Sequence, residues 1–200
     1  MSMRSTIRRS AVVAAFALAM TGVAAAPAAA TAAPVSGTDT PAGTVLTRDM
    51  VQRAGLAEAD SYRLAFSHSS KCLDIPNSSP VMGASAVQWQ CSTEPNQTWT
   101  FAWKPNGYEF QLRVAHSQMC LDLVGISQAN GAAFGQWECN GGSNQTFRAY
   151  DSGVGGWFFQ VQHSRKCIDV VGFAPGNGAT VGQWDCDPAG TAANQRIMWI

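Results

Sequence analysis

Short stretches in which hydrophobic and polar residues alternate recur from residue 61 to the C-terminus. Examples are residues 62–66, 99–103 and 158–161, each bounded by Gly, Pro, Asn or Ser. A two-residue period over such lengths predicts β-strands, and this region nowhere sustains the spacing of an amphipathic helix. The pattern therefore predicts an all-β domain made of many short strands.

The alternating pattern occurs three times, and the cysteines mark the repeat most clearly. Six cysteines form three pairs whose partners are nineteen positions apart, and successive pairs are offset by forty-eight and forty-seven positions. Six cysteines allow fifteen connectivities, but an internal repeat selects the one in which each unit carries the same bridge. We predict the disulfides Cys72–Cys91, Cys120–Cys139 and Cys167–Cys186.

Other residues recur at fixed positions around the cysteines. His-Ser precedes the first cysteine of each pair, an aspartate stands two residues after it, and Gly-Ala follows eleven residues after it. Gln-Trp precedes the second cysteine and Asn-Gln follows it. The units span about 61–106, 107–153 and 154–200, and a repeat of this length is typical of arrays and closed repeat folds. We predict a closed all-β fold with pseudo-threefold symmetry.

The predicted disulfides also place an aspartate near a tryptophan in each repeat. If paired cysteines lie opposite each other on antiparallel strands, the aspartate lies opposite the tryptophan on the same face, with Cβ atoms roughly 5 Å apart. The predicted pairs are Asp74 with Trp89, Asp122 with Trp137, and Asp169 with Trp184.

The other face of these strands is predicted to be the core. It carries Leu73, Leu121 and Ile168. The same alternation turns three glutamines toward the core, for which the sequence offers no physical reason beyond hydrogen-bonded amides: Gln88, Gln136 and Gln183.

An aspartate beside a tryptophan is an arrangement that suits a sugar. The C–H face of a pyranose lies flat on an indole, which gives a large rigid apolar surface, and an ionised carboxylate accepts hydrogen bonds from hydroxyl groups. A tryptophan in a strand usually packs into the core. Burying three of them beside aspartates, however, would also bury three carboxylates at a high cost.

The motifs resemble the ricin B-type lectin family, the family-13 carbohydrate-binding modules, over residues 61–200. In the first repeat they read Cys-Leu-Asp-Ile, Gln-Trp-Gln-Cys and Asn-Gln-Thr-Trp, the last matching the family's Gln-x-Trp element. The resemblance implies a β-trefoil with three internal repeats and up to three shallow sugar sites. It also implies that the aspartate and asparagine bind hydroxyls, the tryptophan stacks on the sugar and the glutamine orients the aspartate. The implied carbohydrate-binding residues are Asp74, Trp89, Asn96 and Gln97; Asp122, Trp137, Asn144 and Gln145; and Asp169, Trp184, Asn194 and Gln195.

The three repeats depart from the family pattern in different ways. The glutamine often found four residues before the second cysteine is replaced by Val87, Gly135 and Gly182. The third repeat carries extra residues around 188–193, so Asn194 stands further from its cysteine than its counterparts do. We therefore expect the second site to be the most intact and the reach of Asn194 into the third site to be doubtful.

Composition narrows the choice of partner. The formal net charge is zero and only 13% of residues are charged, about half the usual share, which gives no electrostatic basis for binding nucleic acid or an anionic membrane. We predict a monomer that binds glycans or polysaccharide, with galactose-, xylose- and arabinose-containing ligands all open. We expect no cofactor and no metal. The repeated histidines, which could approach a threefold axis, are interpreted as turn residues: His68, His116 and His163.

The N-terminal third resembles an export signal followed by a spacer. Arg4, Arg8 and Arg9 precede an uncharged run and then small residues, which indicates a secretory signal peptide within residues 1–33 rather than a membrane anchor. A secreted, extracellular location agrees with three disulfides. Residues 34–60 are predicted to be a linker or N-terminal extension with one or two helical turns and no assigned function.

Two other functions fit the pattern less well than non-catalytic, multivalent carbohydrate binding. A protein-binding trefoil such as a protease inhibitor needs none of the repeated Asp–Trp sets. A glycoside hydrolase needs two carboxyl groups about 5 or about 6.5–9.5 Å apart, whereas the repeat supplies one aspartate per unit. We therefore predict that the protein is not an enzyme.

Overall fold

The computed structural model describes residues 43–54, 61–187 and 189–200. The predicted signal peptide, 1–33, lies outside the described residues, as do residues 34–42 and 55–60 of the predicted linker. The described chain contains one α-helix, α1 (Arg48–Arg53), several single 3-10 turns and otherwise strands. No helix in these ranges is long and apolar enough to cross a membrane.

The strands are short, as the alternating pattern predicts. Within the described ranges they are β1 (Ser61–Tyr62), β2 (Leu64–Phe66), β3 (Cys72–Asp74), β4 (Val87–Trp89), β5 (Trp99–Trp103), β6 (Phe110–Val114), β7 (Cys120–Leu123), β8 (Phe134–Trp137), β9 (Phe147–Asp151), β10 (Trp157–Val161), β11 (Cys167–Val170), β12 (Ala179–Trp184) and β13 (Arg196–Trp199).

Antiparallel pairing closes part of these strands into a barrel. The ring runs from β5 to β6, β9, β10, β13 and β2, and β1, which continues into β2 after one residue, pairs with β5 to complete it. Three hairpins, β3–β4, β7–β8 and β11–β12, attach to this ring through β2, β6 and β10. The hairpins also pair with one another, through β4 with β12, Ser85 with Gly135 and Ala133 with Gly182. This is a β-trefoil, so the predicted fold class is confirmed.

The core lies on the face that the alternation predicts. Leu73, Leu121 and Ile168 are fully buried, together with large side chains of the barrel such as Trp99 and Phe110. The three predicted disulfides are confirmed, one in each repeat, with Cα atoms 5.0 Å apart in each.

The predicted strand register is wrong by two residues. Cys72 pairs with Trp89 and Asp74 with Val87, and the other hairpins show the same shift, with Asp122 opposite Gly135 and Asp169 opposite Gly182. The reason is that the second cysteine lies beyond the end of its strand, so each disulfide joins diagonal positions rather than directly opposed ones. The aspartate and tryptophan still share a face, but as diagonal neighbours.

Residues 43–54 of the predicted extension pack against the trefoil. Leu46 is fully buried and its backbone N donates to Ala149 O at 2.8 Å. Helix α1 begins after Thr47, whose side chain accepts from Met50 N, and the helix buries Val51 in the same core. This part of the extension therefore contributes to the folded domain.

Candidate functional site

A buried carboxylate held by an asparagine and a glutamine occurs in each repeat. Oδ2 of Asp74 accepts hydrogen bonds from Asn96 Nδ2 at 3.0 Å and Gln97 Nε2 at 2.7 Å. The corresponding bonds, of 2.8–3.0 Å, join Asn144 and Gln145 to Asp122, and Asn194 and Gln195 to Asp169. The structure therefore brings the predicted residues together, three at a time, around one carboxylate oxygen.

The two amide side chains are themselves fixed by backbone groups. Gln97 Oε1 accepts from Ser92 N at 2.7 Å, and its Nε2 also donates to Gln90 O at 3.0 Å. Asn96 Nδ2 donates to Ile75 O as well as to the aspartate. Because both donors of Asn96 are engaged, any contact with a sugar hydroxyl has to use its Oδ1 as an acceptor. The same backbone anchors recur in the second and third repeats.

The second carboxylate oxygen is the open one. Among the described residues, no protein donor bonds Oδ1 of Asp74, Asp122 or Asp169. Burial raises the pKa of all three carboxyl groups, and the amide hydrogen bonds offset only part of this effect. The shift is largest at Asp169, where the pKa is raised to about 6. With a pKa of about 6, Asp169 is mainly ionised at neutral pH. Each of the three aspartates presents Oδ1 as an acceptor that no described protein donor bonds.

The repeated tryptophans are exposed, unlike those of the core. Trp89, Trp137 and Trp184 are 45%, 43% and 43% exposed, whereas Trp99 and Trp157 are buried. The usual burial of a strand tryptophan therefore does not apply to these three.

Each exposed indole rests on a glycine of a neighbouring repeat. A Cβ at Gly178 would lie 3.6 Å from Cζ3 of Trp89, and the same relationship joins Gly83 to Trp137 and Gly131 to Trp184. These glycines have φ of 79–82°, a conformation that favours glycine, and their N–H groups donate to the Gln-Trp strand of that neighbour. Each indole thus contacts a neighbouring repeat while more than two fifths of its surface stays exposed.

The first and third sites each line an open pocket. Asp74, Trp89, Asn96 and Gln97 line a pocket of about 510 Å³ in the first repeat. Their counterparts in the third repeat line one of about 340 Å³. Both volumes fall within or near the usual range for small-molecule sites.

The extra residues of the third repeat do not displace Asn194, contrary to the expectation from the sequence. Asn194 Nδ2 lies 2.9 Å from Asp169 Oδ2. The longer loop is closed by Asp187, whose Oδ2 accepts from Thr191 N and Ala192 N at 2.6 and 2.7 Å. The inserted residues therefore form their own turn, and the chain returns to the position found in the other repeats.

The three buried glutamines form an inter-repeat latch that the sequence did not explain. Gln88 Oε1 accepts from Ser69 Oγ at 2.7 Å, and its Nε2 donates to Ala174 O and Gly176 O of the third repeat at 2.8 and 2.9 Å. His68 Nε2 also lies 3.2 Å from Ala174 O. The same latch joins Gln136, Ser117 and His116 to Ser79 and Val81, and Gln183, Ser164 and His163 to Ser127 and Ala129.

The latch accounts for two of the repeated motifs. His-Ser and Gln-Trp recur because the histidine, serine and glutamine join each repeat to the loop of its neighbour. The constant nineteen-residue separation of serine and glutamine was the sequence signal of this contact.

Comparison with known families agrees with this geometry. The family profile described as "Ricin-type beta-trefoil lectin domain-like" matches residues 52–137 and 95–184. The chain belongs to this family. The lectin family and its lectin relatives support carbohydrate binding as the general activity of the domain. No curated protein matches the chain.

Solved structures with the same fold include designed and natural proteins. The designed threefold-symmetric protein ThreeFoil is 31% identical, with 70% of this chain and 97% of that chain covered and a TM-score of 0.66. The exo-β-1,3-galactanase 1,3Gal43A from Clostridium thermocellum is 28% identical, covered over 71% and 30% of the two chains, with a TM-score of 0.66. The hemolytic lectin CEL-III is 26% identical, covered over 72% and 30%, with a TM-score of 0.57. This chain thus spans less than a third of the length of each of these two natural proteins.

Proposed function

We propose that the protein is a non-catalytic lectin that binds neutral glycans through three Asp–Trp sites. The observation that carries the proposal is an exposed indole beside a buried carboxylate whose Oδ1 no described protein donor bonds. The indole supplies an apolar platform for the C–H face of a pyranose, and the aspartate supplies a charge-assisted acceptor for its hydroxyls.

The way each aspartate is held supports binding rather than catalysis. Two amide groups donate to one carboxylate oxygen in all three repeats. This arrangement fixes a hydrogen-bond acceptor in place, as recognition of a hydroxyl requires. The galactanase resembles this chain over only 30% of its own length, so its hydrolytic activity is not carried over to this domain.

The threefold arrangement supports multivalent binding. Three sites on one rigid domain can raise avidity for a polysaccharide or a glycosylated surface by about 10²–10⁴ over single-site affinity. We propose that the protein is a monomer and that it is secreted. The three disulfides favour secretion, because such bonds persist in oxidising compartments. Galactose-, xylose- and arabinose-containing glycans are the ligand classes that we propose to test first.

A glycan array tests the proposal directly. Wild-type protein is compared with Asp122→Ala, Trp137→Ala and a triple variant that replaces Trp89, Trp137 and Trp184 by alanine. We expect glycan binding by the wild type, weaker binding by each single variant and none by the triple variant. Tyr108→Ala is the matched control, because Tyr108 is an aromatic residue, 38% exposed, that does not line the pocket of the first or the third site.

The outcomes separate the function from the site assignment. A wild type that binds no saccharide refutes the lectin proposal. A triple tryptophan variant that binds as well as the wild type refutes the assigned sites alone. Release of free sugar from a bound polysaccharide, abolished by Asp122→Ala, would contradict the non-catalytic assignment.

A further inference from the structure

The chain that follows each site aspartate makes the same unusual turn. The residue four positions after the aspartate has a left-handed backbone in every repeat, with φ of 48° at Ser78, 51° at Ile126 and 56° at Phe173. This conformation is uncommon for any residue other than glycine, and it is least favourable for β-branched and bulky residues. Residues held in such conformations cluster in ligand clamps and other functional sites.

The third repeat places an aromatic ring at this position. Phe173 is 54% exposed and lines the same pocket as Trp184, Asp169 and Asn194. The pocket therefore has an apolar side chain in addition to the indole platform.

The phenylalanine ring is supported from the neighbouring repeat. Its centroid lies 4.9 Å from that of His68 in the first repeat. The histidine ring is in turn close to the next residue of the turn, with Nε2 3.2 Å from Ala174 O. The ring is thus held in place although half of its surface is exposed.

The other two repeats provide an internal comparison. The second has Ile126, an apolar residue 61% exposed, at this position. The first has the short polar Ser78, and its pocket is larger, about 510 Å³ against about 340 Å³ in the third repeat. The three sites thus share the aspartate and the tryptophan and differ in this side chain.

We propose that Phe173 is a specificity-determining residue that forms a second apolar wall of the third site and favours sugars carrying a methyl-bearing ring substituent. The inference rests on the proposed lectin function and adds a ligand preference to one of its sites. Ile126 gives the second site the same kind of wall, and Ser78 leaves the first site without one. Burying one additional methyl group corresponds to about fourfold in affinity.

The test isolates one site at a time. Trp89→Ala with Trp137→Ala leaves the third site, and Trp137→Ala with Trp184→Ala leaves the first. Phe173→Ser is introduced into the former and Ser78→Phe into the latter, which exchanges the two natural residues. Calorimetric titration then compares galactose with N-acetylgalactosamine and glucose with N-acetylglucosamine. In each pair the second sugar carries a methyl-bearing acetamido group in place of the 2-hydroxyl of the first.

The expected result is a preference that follows the side chain. The third site prefers the acetamido sugar by about fourfold or more, Phe173→Ser removes this preference, and Ser78→Phe creates it in the first site. Phe173→Leu keeps an apolar wall and is expected to keep the preference. Thermal denaturation of each variant establishes that it is folded.

Two results would overturn the proposal. One is an acetamido preference that is the same in Phe173→Ser and its parent while both bind sugar. The other is a loss in Phe173→Leu equal to that in Phe173→Ser. Failure of the wild type to bind any saccharide is a different result, because it refutes the lectin function itself.

Discussion

The indole of Trp137 in the second repeat rests on Gly83 of the first, where a Cβ would lie 3.5 Å from Cζ3 of the ring. The backbone N of the same glycine donates to Gln136 O at 2.8 Å. The platform of one site is therefore built on the loop of the preceding repeat, and the relationship continues around the threefold axis. A single repeat contains the aspartate and its amide partners but lacks the support for its own tryptophan.

This relationship predicts that Gly83→Val weakens the second site. The branched side chain both opposes the left-handed backbone and pushes against the indole, so we expect reduced sugar binding at Trp137 and a loss of about 1–2 kcal/mol in stability. Gly107→Val is the matched control, because Gly107 also has a left-handed backbone, with φ of 74°, but a Cβ there would meet nothing within 4 Å. Equal sugar affinity of the two variants at the second site would contradict the supporting role of Gly83.

The inter-repeat latch predicts a large cost for an apolar replacement of Gln88. Leucine at this buried position would leave the Ser69 hydroxyl without its acceptor and Gly176 O without its donor. It would also remove one of the two side chains, Gln88 and His68, that contact Ala174 O. Unpaired buried polar groups cost about 1–3 kcal/mol each, so we expect Gln88→Leu to lower the free energy of unfolding by about 2–4 kcal/mol.

Chemical denaturation measures this effect, with Gln90→Leu as the control. Gln90 is exposed, and a surface change of this kind alters stability by less than about 0.5 kcal/mol. If the two variants unfold at the same denaturant concentration, the latch contributes nothing to stability.

The carboxyl group of Asp169 predicts opposite pH dependences for binding and for stability. Burial raises its pKa to about 6, with hydrogen bonds from Gln195 and Asn194 offsetting part of the effect. Both amides donate to Oδ2, so the proton occupies Oδ1, the oxygen proposed to accept from the sugar. Sugar binding at the third site is therefore expected to decline as the pH falls through about 6.

The effect of Asp169 on stability has the reverse sign. A carboxyl group whose pKa is raised by folding stabilises the folded state below its ordinary pKa of 3.8, and this contribution is lost as the pH rises through about 6. Titration of a protein that retains only the third site measures the binding, and urea unfolding between pH 4 and pH 7 measures the stability. Asp169→Asn should remove the pH dependence of binding at the third site. It should only reduce the pH dependence of stability, because burial also raises the pKa of Asp74 and Asp122. Binding that stays constant from pH 7.5 to pH 5 in the unsubstituted site would contradict the prediction.

The sequence predicted the features that each repeat shares, but not those that depend on the path of the chain. The disulfide pairing and the burial of Leu73 were predicted correctly, because every repeat carries the same cysteine spacing and the same alternation of residues. The register of Asp74 was missed by two residues because spacing alone does not show that the chain leaves the sheet before Cys91.

Contacts between repeats were also not predicted from the sequence. The partners of Gln88 lie in the third repeat, more than eighty residues away, and backbone carbonyls leave no mark on side-chain patterns. The left-handed turn at Phe173 was hidden for a similar reason, since a bulky residue is a poor signal for that conformation.

The buried side chain of Leu46 predicts that residues before the first repeat stabilise the trefoil. Leu46 is fully buried in the common core, and its backbone N donates to Ala149 O in β9. Truncation of a buried leucine to alanine costs about 2–5 kcal/mol because it removes apolar contacts and leaves a cavity. Leu46→Ala should therefore lower the thermal midpoint by several degrees, whereas Gln52→Ala, at an exposed position of α1, should leave it nearly unchanged. Sugar affinity measured well below the unfolding transition should be the same in both variants, since neither residue lines a site. A Leu46→Ala protein as stable as the Gln52→Ala control would show that this segment does not contribute to the stability of the core.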